Sequence, residues 1–263
     1  VFFVSADWRV NEWEQLYRQL YPVLLEKPED PDSLGRSPYW AIHPSPHFIG
    51  GKSYLMIPSG GSGGMLKFCV HTLDTLRASA EATAKFFRLS RQNSICVLPL
   101  YHVSGFIQAV RAACSGGCIY WGMPERKEDF ASIQSPDWQI SLVPALLQKW
   151  LQIPQRKQIL QAAHLIYLGG AAMDRALHAQ AISEELSIAP CYGATETASM
   201  VAAVPPDDVK EYGTGARLLP HASIEIDASG EVRVLADSLF KGYWKDCIHG
   251  DFRREGDYWS SGD

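Results

Sequence analysis

The densest concentration of possible chemistry lies in the run Ser59-Gly60-Gly61-Ser62-Gly63-Gly64-Met65-Leu66-Lys67. Glycines 60, 61, 63 and 64 permit positive φ and let backbone N–H groups converge on one point. Ser59 and Ser62 add hydroxyls, and Lys67 closes the run with a positive charge. Such a surface is complementary to a polyphosphate; the alternative reading is the tip of a flexible hairpin. The spacing excludes a Walker A loop, because no glycine stands five places before a Gly-Lys pair. It also excludes the dinucleotide fingerprint, because Leu66 stands where its last glycine belongs.

Three further polar turns carry reactive residue types. Tyr192-Gly193-Ala194-Thr195-Glu196-Thr197 combines an aromatic face, a glycine for close approach, a hydroxyl and a carboxylate. A purine can lie on Tyr192, Thr195 can donate to a phosphate, and Glu196 can hold Mg²⁺, which prefers oxygen ligands. The competing reading is a helix N-terminus capped by Thr195 or Glu196. Gly169-Gly170-Ala171 is either a tight turn or bare backbone against which a flat base slides. His102, in Tyr101-His102-Val103-Ser104-Gly105, is either a pocket residue or a hydrogen-bonded structural histidine. Asp263 ends the chain as a carboxylate able to accept two ribose hydroxyls.

The elements that must position these groups alternate. Tyr54–Ile57 and Phe68–Val70 read as strands flanking the glycine run. Thr72 is placed to cap a helix with apolar residues at Leu73, Leu76, Ala80, Ala84 and Phe87. Ile95–Leu98 reads as a strand ended by Pro99. A helix then opens at Ser104 or Gly105 and stops at Ser115-Gly116-Gly117, before the strand Cys118–Trp121. Ile140–Val143 is strand, Pro144 starts a helix to about Gln152, Leu165–Leu168 is strand, and a helix runs from about Asp174 to Glu185. This order predicts an α/β fold: a mostly parallel sheet covered by helices, with ligands at the carboxyl ends of its strands. From about Tyr212 short alternating segments and tight turns predict a smaller β-rich, distorted barrel-like subdomain.

The expected organisation is a partial βα segment with a proline-rich linker over 1–50, a nucleotide- and acyl-binding core over 51–205, and the β-rich part over 206–263. Within the first part, Val1–Val4 reads as a strand and Asn11 to about Leu25 as a helix. The chain of 263 residues has 46% hydrophobic and 20% charged residues and a net charge of −5. No basic field points to nucleic acid or an anionic membrane, and no apolar run is long enough for a membrane span. The scattered cysteines 69, 96, 114, 118, 191 and 247 fit a reducing compartment better than a disulfide framework. Both ends read as cuts.

In this order the motifs resemble those of the AMP-forming adenylate ligases: acyl-CoA synthetases, firefly-luciferase-like enzymes and peptide-synthetase adenylation domains. Ser59–Lys67 resembles their phosphate loop, with Gly63 in place of a threonine and Leu66 in place of a proline. Tyr192–Glu196 matches their Y-G-x-T-E motif. Gly169–Ala171 resembles their adenine turn, Phe240-Lys241-Gly242-Tyr243-Trp244 their F-x-G-Y-W stretch, and Trp259–Asp263 their terminal element. Within the family, residues 99–105 and 192–199 are most similar to the branch that activates o-succinylbenzoate for menaquinone and phylloquinone synthesis, and the loop resembles cyanobacterial or plastid versions.

The resemblance implies ATP, Mg²⁺ and coenzyme A as partners of a small carboxylic acid, in the cytoplasm or a plastid stroma. It implies that Ser59, Gly60, Gly61, Ser62, Gly63, Gly64 and Lys67 hold the β- and γ-phosphates. Thr195 then meets the α-phosphate and Glu196 the metal, with Thr195, Glu196 and Lys67 carrying the catalysis. Tyr192, Gly169, Gly170 and Ala171 take the adenine, Gly193 lets the nucleotide approach closely, and Asp263 takes the ribose, while His102, Ser104, Gly105, Thr197 and Ser199 face the acyl group. An arginine, with Arg111 and Arg217 as candidates, or a water-mediated contact would meet a second substrate carboxylate. The family's mobile C-terminal domain, with a lysine that drives adenylation, is expected to lie outside this chain, so that these residues bind nucleotide or acyl-adenylate weakly and turn over little. Another acyl- or aryl-CoA ligase, and a non-catalytic binding relative, are the alternatives.

Overall fold

The computed structural model describes residues 54–60, 66–122, 137–244 and 258–260. The expected strand Val1–Val4, the helix from Asn11, the linker over 27–50, Gly61–Gly64 and Asp263 all lie outside the described residues.

Strands β1 (Tyr54–Gly60) and β2 (Leu66–Thr72) form an antiparallel hairpin in which Ser59 faces Lys67 across the ladder. The glycine run thus joins two paired strands, as the apolar flanks predict. Thr72 caps helix α1 (Leu73–Phe87) in a reciprocal capping box with Thr75, which satisfies two otherwise orphaned N–H groups. Lys67, on β2, therefore projects from a strand anchored at both ends.

The central sheet contains β3 (Asn93–Cys96), β4 (Ile119–Trp121), β5 (Trp138–Leu142), β6 (Leu165–Leu168), β7 (Ile188–Ala194), β8 (Ser199–Ala203) and β9 (Arg217–Leu218). Their spatial order is β4-β3-β5-β6-β7-β8-β9. The first five are parallel, and β8 and β9 join antiparallel. Strand β3 begins and ends two residues earlier than expected. Its pairing with β4 and β5 starts at Asn93 and Ser94, and the chain has left the ladder before Pro99, which has no N–H to offer.

Helices α2 (Val103–Ser115), α3 (Pro144–Leu151), α4 (Pro154–Ala162) and α5 (Arg175–Ser183) connect the parallel strands. Pro144 occupies the first turn of α3, Gly116 ends α2 at φ 65°, and the Asp174 carboxylate accepts from Leu177 N at 2.8 Å. Strand β6 shows why its sequence is apolar throughout. Ile166 and Leu168 pack toward α3–α5, whereas Leu165 and Tyr167 pack toward α1 with Ala82, Phe86 and Phe87. Successive side chains enter opposite cores, so a doubly covered strand has no polar face.

A second sheet contains β10 (Ala222–Ile226), β11 (Val232–Ala236) and β12 (Trp259–Ser260) in that spatial order, all antiparallel. Val234, Ala236 and Leu239 pack on Val201 of β8. Among the described residues, no helix is long and apolar enough to cross a membrane.

Candidate functional site

The carboxyl ends of β3, β6 and β7 lie on one edge of the sheet, and each leads into one of the polar turns singled out above. The turn after β7 does not open a helix. The chain reverses into antiparallel β8, with Gly193 at a register shift beside Tyr192. A side chain on Gly193 would meet the Ser199 carbonyl, so this hairpin closes only with glycine there. Ala198 and Ser199 adopt φ of 51° and 99°, conformations that cost non-glycine residues energy.

That strained turn is held from several directions. Thr197 Oγ1 accepts from Ala194 N at 2.9 Å and donates to Ser199 O at 2.6 Å. Ser79 of α1 donates to Ala198 O at 2.7 Å, and Ser238 donates to Thr197 O at 2.8 Å. Phe240 N donates to Glu196 O at 2.7 Å. His71 Nε2 lies 2.8 Å from Thr195 O. A carbonyl only accepts, so His71 carries its proton on Nε2 and presents Nδ1 to Thr75 Oγ1. Burial pushes the His71 pKa down to about 4, which keeps the ring neutral.

The Glu196 carboxylate is the meeting point of three segments. Ser59 Oγ donates to its Oε1 at 2.9 Å and the Tyr243 hydroxyl donates to the same oxygen at 2.8 Å. Lys67 Nζ lies 5.1 Å from the centre of the Tyr243 ring. The Cys69 thiol is hydrogen-bonded to Glu196, and burial followed by the Glu196 charge pushes its pKa well up, so it stays protonated. Backbone bonds from Val70 N to Gly242 O and from Lys241 N to Val70 O lock residues 241–243 onto β2.

Tyr192 and Ala171 border a cavity of about 230 Å³, walled also by Leu168, Met173, Ala202 and Val204. Gly170, at φ 79°, makes the turn that brings Ala171 to its rim. The Tyr212 hydroxyl donates to Met173 O at 2.7 Å and ties down the 171–173 segment that lines it. Sequence reasoning did not single out Tyr212, Cys69 or His71. His71 is the next strand-alternate position after Cys69, an apolar-run position where a polar residue marks a buried hydrogen bond.

The expected acyl-facing residues divide. His102 occupies the exposed position just before α2 without a capping side-chain hydrogen bond, its ring 4.5 Å from that of Tyr101, and Ser104 lies on the first turn, where its carbonyl accepts from Gln108. Gly105 is buried, and a side chain there would meet the Pro99 carbonyl, so the glycine lets α2 press on the preceding loop. Thr197 is fully buried in the turn it closes. Ser199 accepts from Arg111 Nη2 at 3.2 Å.

Arg111 is only 1% exposed, its guanidinium lies 5.1 Å from the Tyr167 ring centre, and its Nε has no hydrogen-bond partner. Among the described residues, no carboxylate pairs with it. Burial draws its pKa down, opposed by Tyr167 and Cys191. Arg217, the other candidate, is exposed on β9 and paired with Asp208.

No group of three His, Cys, Asp or Glu side chains able to cage a metal occurs among the described residues. Glu196 offers one hard carboxylate among hydroxyls beside a lysine. That donor set fits Mg²⁺, which takes one or two carboxylates and completes its shell with phosphate oxygens and water.

An open α/β sheet with an anchored glycine-rich hairpin, an acidic turn and a ring-sized cavity on one edge defines a class of nucleotide-handling folds. The chain belongs to the AMP-binding enzyme family, which it matches over residues 15–244. It is 31% identical over 192 residues to the 2-succinylbenzoate–CoA ligase of Salmonella typhimurium, covering 73% of this chain and 40% of the relative. The Haemophilus influenzae 2-succinylbenzoate–CoA ligase is 30% identical over 193 residues, covering 73% and 41%. Among solved structures, wild-type E. coli MenE with a phenylether-linked analogue of OSB-AMS superposes with a TM-score of 0.73 at 22% identity, over 99% of this chain and 57% of that one. The Bacillus subtilis o-succinylbenzoate CoA synthetase in complex with the acyl-adenylate intermediate OSB-AMP gives 0.71 at 18%, over 99% and 75%. These likenesses show the fold. The chain spans about 40% of the length of the curated relatives it matches.

Proposed function

We propose that this chain forms the nucleotide- and acyl-binding part of an AMP-forming acid–thiol ligase whose acid is o-succinylbenzoate, acting in quinone synthesis in the cytoplasm or a plastid stroma. The observation that carries the reading is the convergence of Ser59, Lys67 and Glu196 beside the Tyr192 turn, which also borders the Ala171–Tyr192 cavity, while Arg111 is buried on α2 against Ser199 of the same hairpin. Phosphates, adenine and a dicarboxylic acid each find a group of suitable chemistry there.

In the first step an oxygen of the substrate carboxylate attacks the α-phosphorus of ATP. A new P–O bond forms, the bond to the β-phosphate oxygen breaks, and pyrophosphate leaves. In the second step the thiol of coenzyme A attacks the acyl carbon, loses its proton, and displaces AMP. Mg²⁺ held at Glu196 supplies charge neutralisation on the phosphates. The glycine run from Ser59 to Gly64 and Lys67 hold the β- and γ-phosphates, Thr195 meets the α-phosphate, and Tyr192 with Gly169–Ala171 lines the adenine. Fixed donors of this kind stabilise the charge that develops during transfer. Asp263 takes the ribose, and His102, Ser104 and Ser199 border the acyl group. Arg111 takes the succinyl carboxylate, a role supported by its burial without an acidic partner.

The test is calorimetric titration with non-hydrolysable o-succinylbenzoyl-, benzoyl- and decanoyl-adenylate analogues. Preference for the first by tenfold or more is expected. Equal binding of all three keeps the ligase class and removes the assigned acid; no binding of any overturns the reading.

A further inference from the structure

Resting on that nucleotide reading, we propose that Tyr243 is a positioning residue that sets the geometry between the metal-holding carboxylate of Glu196 and the phosphate-holding ammonium of Lys67. One ring touches both groups. Its hydroxyl donates to Glu196 Oε1 at 2.8 Å and its face carries Lys67 Nζ 5.1 Å from the ring centre. Ser59 donates to the same Oε1 from the opposite strand of the hairpin. Two donors on a single carboxylate oxygen fix the plane of the group and bias metal coordination toward Oε2. A cation over an aromatic face is attracted by the ring quadrupole without losing its charge, so Lys67 is retained beside Glu196 yet remains able to meet a phosphate.

The ring is itself held on several sides. Residue 243 pairs with Cys69 in an isolated antiparallel bridge, and the ring lies edge-on to Phe240 at 4.9 Å. The Trp259 side chain is hydrogen-bonded to the phenol. Hydroxyl and ring face thus have separable duties, and two substitutions separate them. Tyr243→Phe keeps the ring under Lys67 and against Phe240 while removing the donor. Tyr243→Leu removes both.

The experiment is calorimetric binding of α,β-methylene-ATP across a series of Mg²⁺ concentrations, with metal-free AMP as the control. For Tyr243→Phe the Mg²⁺ needed for half of its tightening effect should rise about tenfold, the usual scale for loss of a hydrogen bond to a metal-ligating carboxylate. AMP binding should stay within about twofold of the parent if that hydrogen bond acts through the metal. Tyr243→Leu should in addition weaken metal-free ATP binding, because Lys67 loses its support. Ser59→Ala, which removes the other donor to Oε1, must shift the Mg²⁺ requirement in the same direction. An unchanged Mg²⁺ requirement in Tyr243→Phe or Ser59→Ala overturns the positioning role and leaves the nucleotide reading intact. Equal loss of AMP and Mg²⁺-dependent binding overturns it in favour of a packing role. Absence of ATP binding by the parent chain at any Mg²⁺ concentration overturns both.

Discussion

Ser59 Oγ donates to Glu196 Oε1 at 2.9 Å, although 137 residues of chain separate them. The bond ties the last part of β1, just before the glycine run, to the turn after β7. Every proposed event at the phosphates depends on these two segments being in register.

Glu196→Gln preserves the side-chain volume while removing the charge that two hydroxyls address. Charge-assisted hydrogen bonds contribute about 1.5–3 kcal/mol, so a loss of about 1–3 kcal/mol in denaturant unfolding is expected. The same variant should lose the Mg²⁺ dependence of ATP binding. Retained stability together with retained Mg²⁺ dependence would refute the assignment of Glu196.

Arg111→Met has an unusual expected sign. An ionised group this deeply buried without an acidic partner lowers stability, and an apolar chain of similar length removes that cost. The unfolding midpoint should therefore hold or rise, while affinity for an o-succinylbenzoyl-adenylate analogue falls by about tenfold or more, with benzoyl-adenylate unaffected. A drop in stability with unchanged ligand preference would make Arg111 a structural residue.

Two histidines predict a pH dependence. Burial lowers both His71 and His221 from 6.5 to about 4, with Asp237 partly opposing the shift at His221. Between these values the unfolded chain binds the extra protons, so stability is full above pH 6.5 and falls as pH drops toward 4. The loss is on the order of 2 kcal/mol per histidine at pH 5. His71→Gln keeps a donor for Thr195 O and should flatten part of the slope in denaturation curves run from pH 7 to 5. A parent curve with no slope in that window would sink this account.

Gly105→Ala pits helix propensity against space. Alanine favours a helix interior over glycine by about 1 kcal/mol. The added methyl would meet the Pro99 carbonyl, and overpacking typically costs about 1–3 kcal/mol or more when backbone must move. Net destabilisation is expected, read as a lower thermal midpoint; a raised midpoint would mean that α2 can shift without cost.

Much of the fold was legible because its signals are local. Thr72 caps α1, Pro144 opens α3 and Gly116 stops α2, each through the backbone geometry or hydrogen bonding of a few adjacent residues. The order of strands and helices followed from the same signals, and with it the α/β class. The turn at Tyr192–Thr197 was legible as a polar turn at a strand's carboxyl end but not in shape. A hairpin and a helix start ask for similar residues, and only pairing of β7 with β8 distinguishes them.

The sequence by itself determined which groups this protein has to work with: a glycine hairpin ending in Lys67, the Thr195–Glu196 pair, and a small-residue turn at Gly169–Ala171. Only the tertiary structure decided how they are held. It set Tyr243 between Lys67 and Glu196, His71 beneath Thr195, and Arg111 rather than Arg217 in the interior. It also turned Gly105 into a packing position. The reason is range. A cap or a turn is settled by residues within one helical turn of each other, whereas the partner of a buried polar group is whichever side chain the strand order brings near, often more than a hundred residues away.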